Sequence, residues 1–186
     1  HDLIIQVGDF GYGWSWRNNV DEFVLEVSQA ADKYGIDWAF IDGNHDNHPR
    51  LWADKGLGWS DRVTYYARGD VDTFDGVSIG FLGGGVSVDR KWRKVGKSWW
   101  PTETIDDDQL DAAIANFKLN NVQIIATHDA PTCFPALKHG RADDEIAQIW
   151  PLDAIIDAAK HRTKLDKVLA QHQPKLWVHG HYHYAH

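Results

Sequence analysis

The sequence predicts one α/β (α+β) domain built on a mixed sheet system, and three features of its 186 residues carry that expectation. Most apolar runs are short, rich in Val and Ile, and bounded by Gly, Asp or Asn, as buried strands are. Between several of them lie stretches with apolar residues at helical spacing. Helices alternate with strands toward both ends of the chain, around a central meander of strands.

Each element has its own warrant. Leu3 to Val7 is the first strand. From about Asn19 to Tyr34, the residues Val20, Phe23, Val24, Val27, Ala30, Ala31 and Tyr34 fall on one face of a helix, and Gly35 supplies its C-terminal cap. Ile36 to Ile41 is the next strand, and Val63 to Ala67, Val71 to Phe74 and Val77 to Leu82 form the meander. A second helix runs from about Asp106 to Lys118 with Leu110, Ile114 and Phe117 inward, followed by a strand from Val122 to Thr127. A third helix, Leu152 to Gln171, starts after Pro151 and stops before Pro174, and Leu176 to Val178 is the last strand.

Composition narrows the function classes. With 43% hydrophobic residues, 25% charged and one cysteine, Cys133, the chain is neither disordered nor a disulfide-framed secreted module, and the expected setting is cytoplasmic. No apolar run approaches the roughly 20 residues that span a bilayer, and no signal-peptide layout follows His1. The balance of 19 Lys+Arg against 27 Asp+Glu, net −8, opposes broad electrostatic binding to nucleic acid. A phosphate-bearing partner therefore needs a metal ion or a local basic patch.

Four strands end abruptly in metal-ligand chemistry. Leu3 to Val7 runs into Gly8-Asp9, Trp38 to Ile41 into Asp42-Gly43-Asn44-His45-Asp46, Val122 to Thr127 into His128-Asp129, and Leu176 to Val178 into His179-Gly180-His181-Tyr182-His183. In open α/β sheets ligand sites assemble at the C-terminal ends of strands, so ends spread over most of the chain can converge on one spot. A polar residue after a strand is commonly a turn residue. All four together are not explained that way, and His181 and His183, two apart, project to the same side of an extended chain.

Gly8-Asp9, Gly43-Asn44-His45-Asp46, His128 and Gly180-His181-Tyr182-His183, in this order, resemble four of the five motifs of the calcineurin-like metallophosphoesterases. The resemblance implies a four-layer fold, a β-sandwich of two mixed sheets flanked by helices, with a two-metal phosphoester-hydrolysing centre at one edge. The family's first motif, Asp-x-His, is absent from these residues. It is expected upstream of His1 together with its strand, so that residues 1–186 form a single metallophosphoesterase domain without them; the chain has no methionine.

By the same resemblance Asp9 bridges two divalent ions, Asn44, His128 and His181 complete one of them, and His183 serves the other. His45 is not a ligand but gives a proton to the leaving oxygen, with Asp46 orienting its ring. Two ions about 3.5 to 4 Å apart clamp phosphoryl oxygens and activate water, which an unreactive phosphoester requires. A mixed oxygen and nitrogen donor set without thiolate favours Mn, Fe, Zn or Ni over a structural zinc and does not choose among them; Mn is the expected ion. The implied partner is a small phosphoester, with a nucleotide as one form and no membrane; nucleic acid is less favoured. Two rival readings are a non-catalytic module holding one ion and a nuclease acting on single strands.

One basic segment concerns substrate. Arg90, Lys91, Arg93, Lys94 and Lys97 fall within eight positions of an acidic chain, interleaved with Trp92 and followed by Trp99 and Trp100. As a flap this segment would attract phosphate through Arg90 and Arg93 and stack a ring on Trp99.

Overall fold

The computed structural model describes residues 2–14, 20–54, 59–134 and 149–183. Among them, seven strands form two sheets. The first holds β1 (Leu3–Gln6), β2 (Asp37–Phe40) and β3 (Val63–Tyr65) in that order, all parallel, with Leu3 opposite Asp37 and Trp38 opposite Val63. The second holds β4 (Val71–Phe74), β5 (Val77–Leu82), β6 (Ile124–Thr127) and β7 (Leu176–His179), antiparallel between β4 and β5 and parallel thereafter. The single reversal is at Asp75-Gly76, where φ values of 48° and 79° make the primed type of turn that a tight hairpin needs.

Strand alternation builds four layers. Ile79 and Phe81 of β5 meet Ala39, Ile41, Tyr66 and Ala126 between the sheets. Leu82 belongs to the opposite face, under Leu110, Ile114 and Phe117 of α3 (Asp107–Leu119) and Leu165 and Val168 of α4 (Leu152–Gln171). On the outer face of the first sheet, Phe40 packs with Phe10, Val24, Val27 and Ala31 beneath α1 (Val20–Tyr34) and with Leu51 of α2 (His48–Asp54). A central β-sandwich flanked by helices is the architecture the sequence implied.

Three details differ from expectation. The three-stranded sheet is wholly parallel rather than mixed, because α1 and α2 carry the chain back between its strands and leave no hairpin. Helix α2 was not anticipated; it is seven residues long and carries Pro49 in its first turn. Tyr34, expected inward, is 65% exposed at the end of α1, with Lys33 Nζ 5.0 Å above its ring. Beyond it Gly35, at φ 65°, closes the helix as a Schellman cap, Ile36 N–H donating to Ala31 O at 3.0 Å. At α3, Asp106 accepts from Gln109 N–H and Gln109 Oε1 accepts from Asp106 N–H, a complete capping box. No helix among the described residues is long and apolar enough to cross a membrane.

Candidate metal centre and active site

The C-terminal ends of β1, β2, β6 and β7 meet at one edge of the sandwich. Around Nε2 of His128 stand Asn44 Oδ1 at 3.0 Å, His181 Nδ1 at 3.1 Å and Asp9 Oδ1 at 3.3 Å. Asp9 and His181 hold left-handed backbone, φ 53° and 68°, which non-glycine residues adopt at a cost and which clusters at functional sites. The approach is close enough to dictate glycine beside it. A Cβ on Gly43 would lie 2.2 Å from Asp9 Oδ1 and 2.4 Å from Asp9 N, and one on Gly8, at φ 90°, would lie 2.2 Å from His128 Nδ1.

The protons around this cluster show what it suits. The Val7 carbonyl accepts from His128 Nδ1 at 2.8 Å, so neutral His128 presents a bare lone pair at Nε2. Asn44 donates through Nδ2 to Ser87 Oγ at 3.1 Å, which turns its carbonyl oxygen to the cluster. Asp9 Oδ1 accepts from His45 N–H at 2.9 Å and has no proton of its own to offer. A proton on one ring satisfies one of these contacts; a cation at their centre would satisfy His128, His181, Asn44 and Asp9 together. A donor shell of radius about 2.1 Å sets neighbouring donors about 3.0 to 3.4 Å apart, and the observed spacings lie in that range. No group of three His, Cys, Asp or Glu side chains among the described residues stands by itself as an ion cage. The fit depends on the Asn44 amide as a fourth donor and on His128 as the hub.

Around the cluster lies a buried polar layer. Ser87 Oγ accepts from Asn44 and from Arg93 Nη1 at 2.9 Å and donates to Glu103 Oε2 at 2.5 Å, while Ser87 N–H donates to Glu103 Oε1. Arg93 Nη2 donates to His45 Nε2 at 3.1 Å and pairs with Asp89 at 2.7 Å. Trp14 backs both, its ring 4.6 Å from that of His45 and 5.0 Å beneath the Arg93 guanidinium, and Trp100 packs edge-on against Trp14. Burial raises Asp9, but the rings of His128, His45 and His181 outweigh it and hold the carboxyl below the usual range. Burial, joined by Arg93, pulls His45 below the ordinary histidine value against the attraction of Asp9.

Several expected site residues stand elsewhere. Asp46 was expected to orient the His45 ring; its oxygens instead accept from the backbone N–H of Gly11, Tyr12 and Gly43 at 2.7 to 2.8 Å, so it ties the first loop to the second. Burial and the neighbouring Asp9 charge push it up to about 7, opposed by those amide bonds. His183 is exposed at φ 58°, and among the described residues no hydrogen bond or ion pair joins it to the cluster. Arg90 turns away to Asp153 and Asp157 of α4, at 2.9 and 2.8 Å, because two carboxylates there neutralise it. Trp99 lines a side cavity of about 340 Å³ with Arg90, Ile105 and Lys164 rather than the cluster. Of the basic segment, Arg93 is the member that reaches the site.

Other groups at the site had weak or no sequence signal. Ser87 follows the Gly83-Gly84-Gly85 run and Glu103 lies in a 3₁₀ turn, neither of them within a motif. His48, next to the second motif, is fully buried and donates through Nε2 to the Gly43 carbonyl at 2.8 Å, above an Asp42 carboxylate held by Arg68 and Tyr65.

The model of one protein family, calcineurin-like phosphoesterase, matches residues 1–185. The chain belongs to that family. A search among curated proteins found no match. Members of the family are metal-dependent phosphoester hydrolases that generally bind two divalent ions, which agrees with the donor chemistry around His128.

Proposed function

We propose that this calcineurin-like chain hydrolyses small or exposed phosphoesters, nucleotides included, with Asp9, Asn44, His128 and His181 as the residues that hold a divalent ion, Mn by preference. The observation that carries this reading is the convergence of Asn44 Oδ1, His181 Nδ1 and Asp9 Oδ1 within 3.3 Å of His128 Nε2. Bound divalent ions supply charge neutralisation at phosphoryl oxygens and a water of lowered pKa. The chain's own residues do the rest. Arg93, paired with the single carboxylate of Asp89 but held against His45, is the cation placed to bind a phosphoryl oxygen. For His45 to pass a proton to the leaving oxygen, its Nε2 exchanges the bond from Arg93 for a proton, which burial and the Arg93 charge then make easy to release. Asp46 takes no part in that transfer and keeps the Asp9 and Asn44 loops in register.

The test is hydrolysis of bis(4-nitrophenyl) phosphate with added Mn, by wild type and Asp9→Asn. Wild type should turn over, lose activity to a chelator and regain it with Mn. Asp9→Asn should lose most of that activity, because a neutral amide replaces the carboxylate that holds the ion. Turnover that survives chelation, or an Asp9→Asn enzyme as fast as wild type, would overturn the reading.

A single-strand nuclease is the second reading, and one observation favours it: Trp92 is 62% exposed between exposed Lys91 and Lys94. Competition of a short oligothymidylate against the aryl diester distinguishes the two. Inhibition far stronger than that of a mononucleotide supports the nuclease.

A further inference from the structure

Asp129 and Tyr182 directly follow the two histidines of the cluster, His128 and His181, and their side chains leave it on the other side. Both are buried, at 1% and 8% exposure. The Tyr182 hydroxyl donates to Asp129 Oδ1, which also accepts from Ala130 N–H at 2.7 Å. Asp129 Oδ2 accepts from His161 Nδ1 at 2.9 Å, a residue of α4 that is 2% exposed. The next residue of α4 joins in: the Arg162 guanidinium stands 5.7 Å above the Tyr182 ring and donates to the carbonyls of Ala130 and Pro131. Two successive helix residues thus grip the loop after His128 together with the side chain that follows His181.

This grip acts on a strained backbone. His181 sits at φ 68° while Tyr182 N–H donates back to Gly180 O at 2.8 Å, the i to i+2 pattern of a γ-turn with positive φ at its centre. Such turns are rare and persist only where the surroundings enforce them. Relaxation of this turn would swing His181 Nδ1 away from His128 Nε2.

We infer that Tyr182 and Asp129, braced by His161 and Arg162, are positioning residues: a clamp that holds His181 in its strained turn and so sets the spacing of the two histidine donors. The inference rests on the reading of the cluster as a metal site. It concerns residues that touch neither ion nor substrate, and it separates them from residues that merely stabilise the fold.

The experiment measures Mn binding to the full chain by isothermal titration, with Tm recorded alongside, for wild type, Tyr182→Phe, Asp129→Asn and a remote core control, Ile114→Val. Tyr182→Phe should bind Mn about 10-fold more weakly or worse, the range seen when a group that orients a metal ligand is removed. Ile114→Val, which thins the core under α3, should bind as wild type even though its Tm drops. In a His181→Ala background, Tyr182→Phe should weaken Mn binding no further, because the donor it positions is gone. If Tyr182→Phe does not fold, Asp129→Asn is read by the same criteria. Wild-type affinity in Tyr182→Phe, an equal loss in Ile114→Val, or an undiminished effect in the His181→Ala background each overturns the clamp. A wild-type chain that binds neither Mn nor Zn overturns the metal reading itself, and the clamp with it.

Discussion

Gly43→Ala adds one carbon where the loops after β1 and β2 leave no room for it. The added Cβ would stand 2.2 Å from Asp9 Oδ1, 2.4 Å from Asp9 N and 2.9 Å from His128 Cε1. Non-bonded carbon contacts settle at about 3.5 to 4.0 Å, so the loops after β1 and β2 must part by roughly 1 Å. The Asp9 carboxylate could rotate away, but the Asp9 backbone nitrogen could not. Overpacking of this kind costs about 1 to 3 kcal/mol, below the about 5 to 15 kcal/mol that holds a domain folded. The variant should therefore fold, with Asp9 displaced from His128. A misplacement of about 1 Å at a reacting centre costs on the order of 100-fold in rate. The assay is kcat/KM for bis(4-nitrophenyl) phosphate with Mn, with circular dichroism as the check on folding. Gly76→Ala is the control: a Cβ there meets nothing within 4 Å, and only its φ of 79° is unfavourable, a cost of about 1 to 2 kcal/mol in stability with kcat/KM unchanged. A folded Gly43→Ala enzyme with wild-type kcat/KM would refute the argument that contact with Asp9 is why glycine stands there.

Three further outcomes are expected. His45→Ala should lose about 10²- to 10⁴-fold in rate with alkyl leaving groups and much less with nitrophenolate, which departs without a proton; an equal loss for both would remove His45 as the proton donor. Arg93→Gln should raise KM for a nucleotide diester, whereas Arg90→Gln should leave it unchanged, since Arg90 is spent on Asp153 and Asp157; the reverse order would mean that the side facing α4 binds substrate. Burial pushes His48 down to about 4, against the pull of Asp42. The unfolded chain takes up that proton near pH 6.5, so stability should fall as pH drops from about 6.5 to 4, by up to about 3 kcal/mol. Urea unfolding at pH 7 and 4.5 reads this slope, and His48→Gln should flatten it.

Periodic features of the fold were legible because period and burial coincide. All seven strands among the described residues lie where short apolar runs stand between turn residues, and α3 is capped by Asp106, whose partner Gln109 is three residues on. Helix α2 was not legible, since seven residues with an internal proline show no period. The residues that converge on His128 stand in motifs, but roles that depend on partners far along the chain could not be read there. Asp46 stands beside His45 in sequence, yet its bonds run to Gly11 and Tyr12, 35 and 34 residues earlier. Arg90 and Arg93 look alike in a basic run; only the fold sets one against two carboxylates of α4 and the other between Asp89, Ser87 and His45. The Ser87 and Glu103 pair that orients Asn44 joins residues 16 apart and has no pattern of its own.

The most direct test of the central claim, that the side chains around His128 hold the catalytic ion, is the metal content of Mn-loaded protein after gel filtration. Wild type should retain at least one Mn per chain, and His128→Ala should retain markedly less while remaining folded. Folded His128→Ala with the wild-type Mn content would contradict the claim.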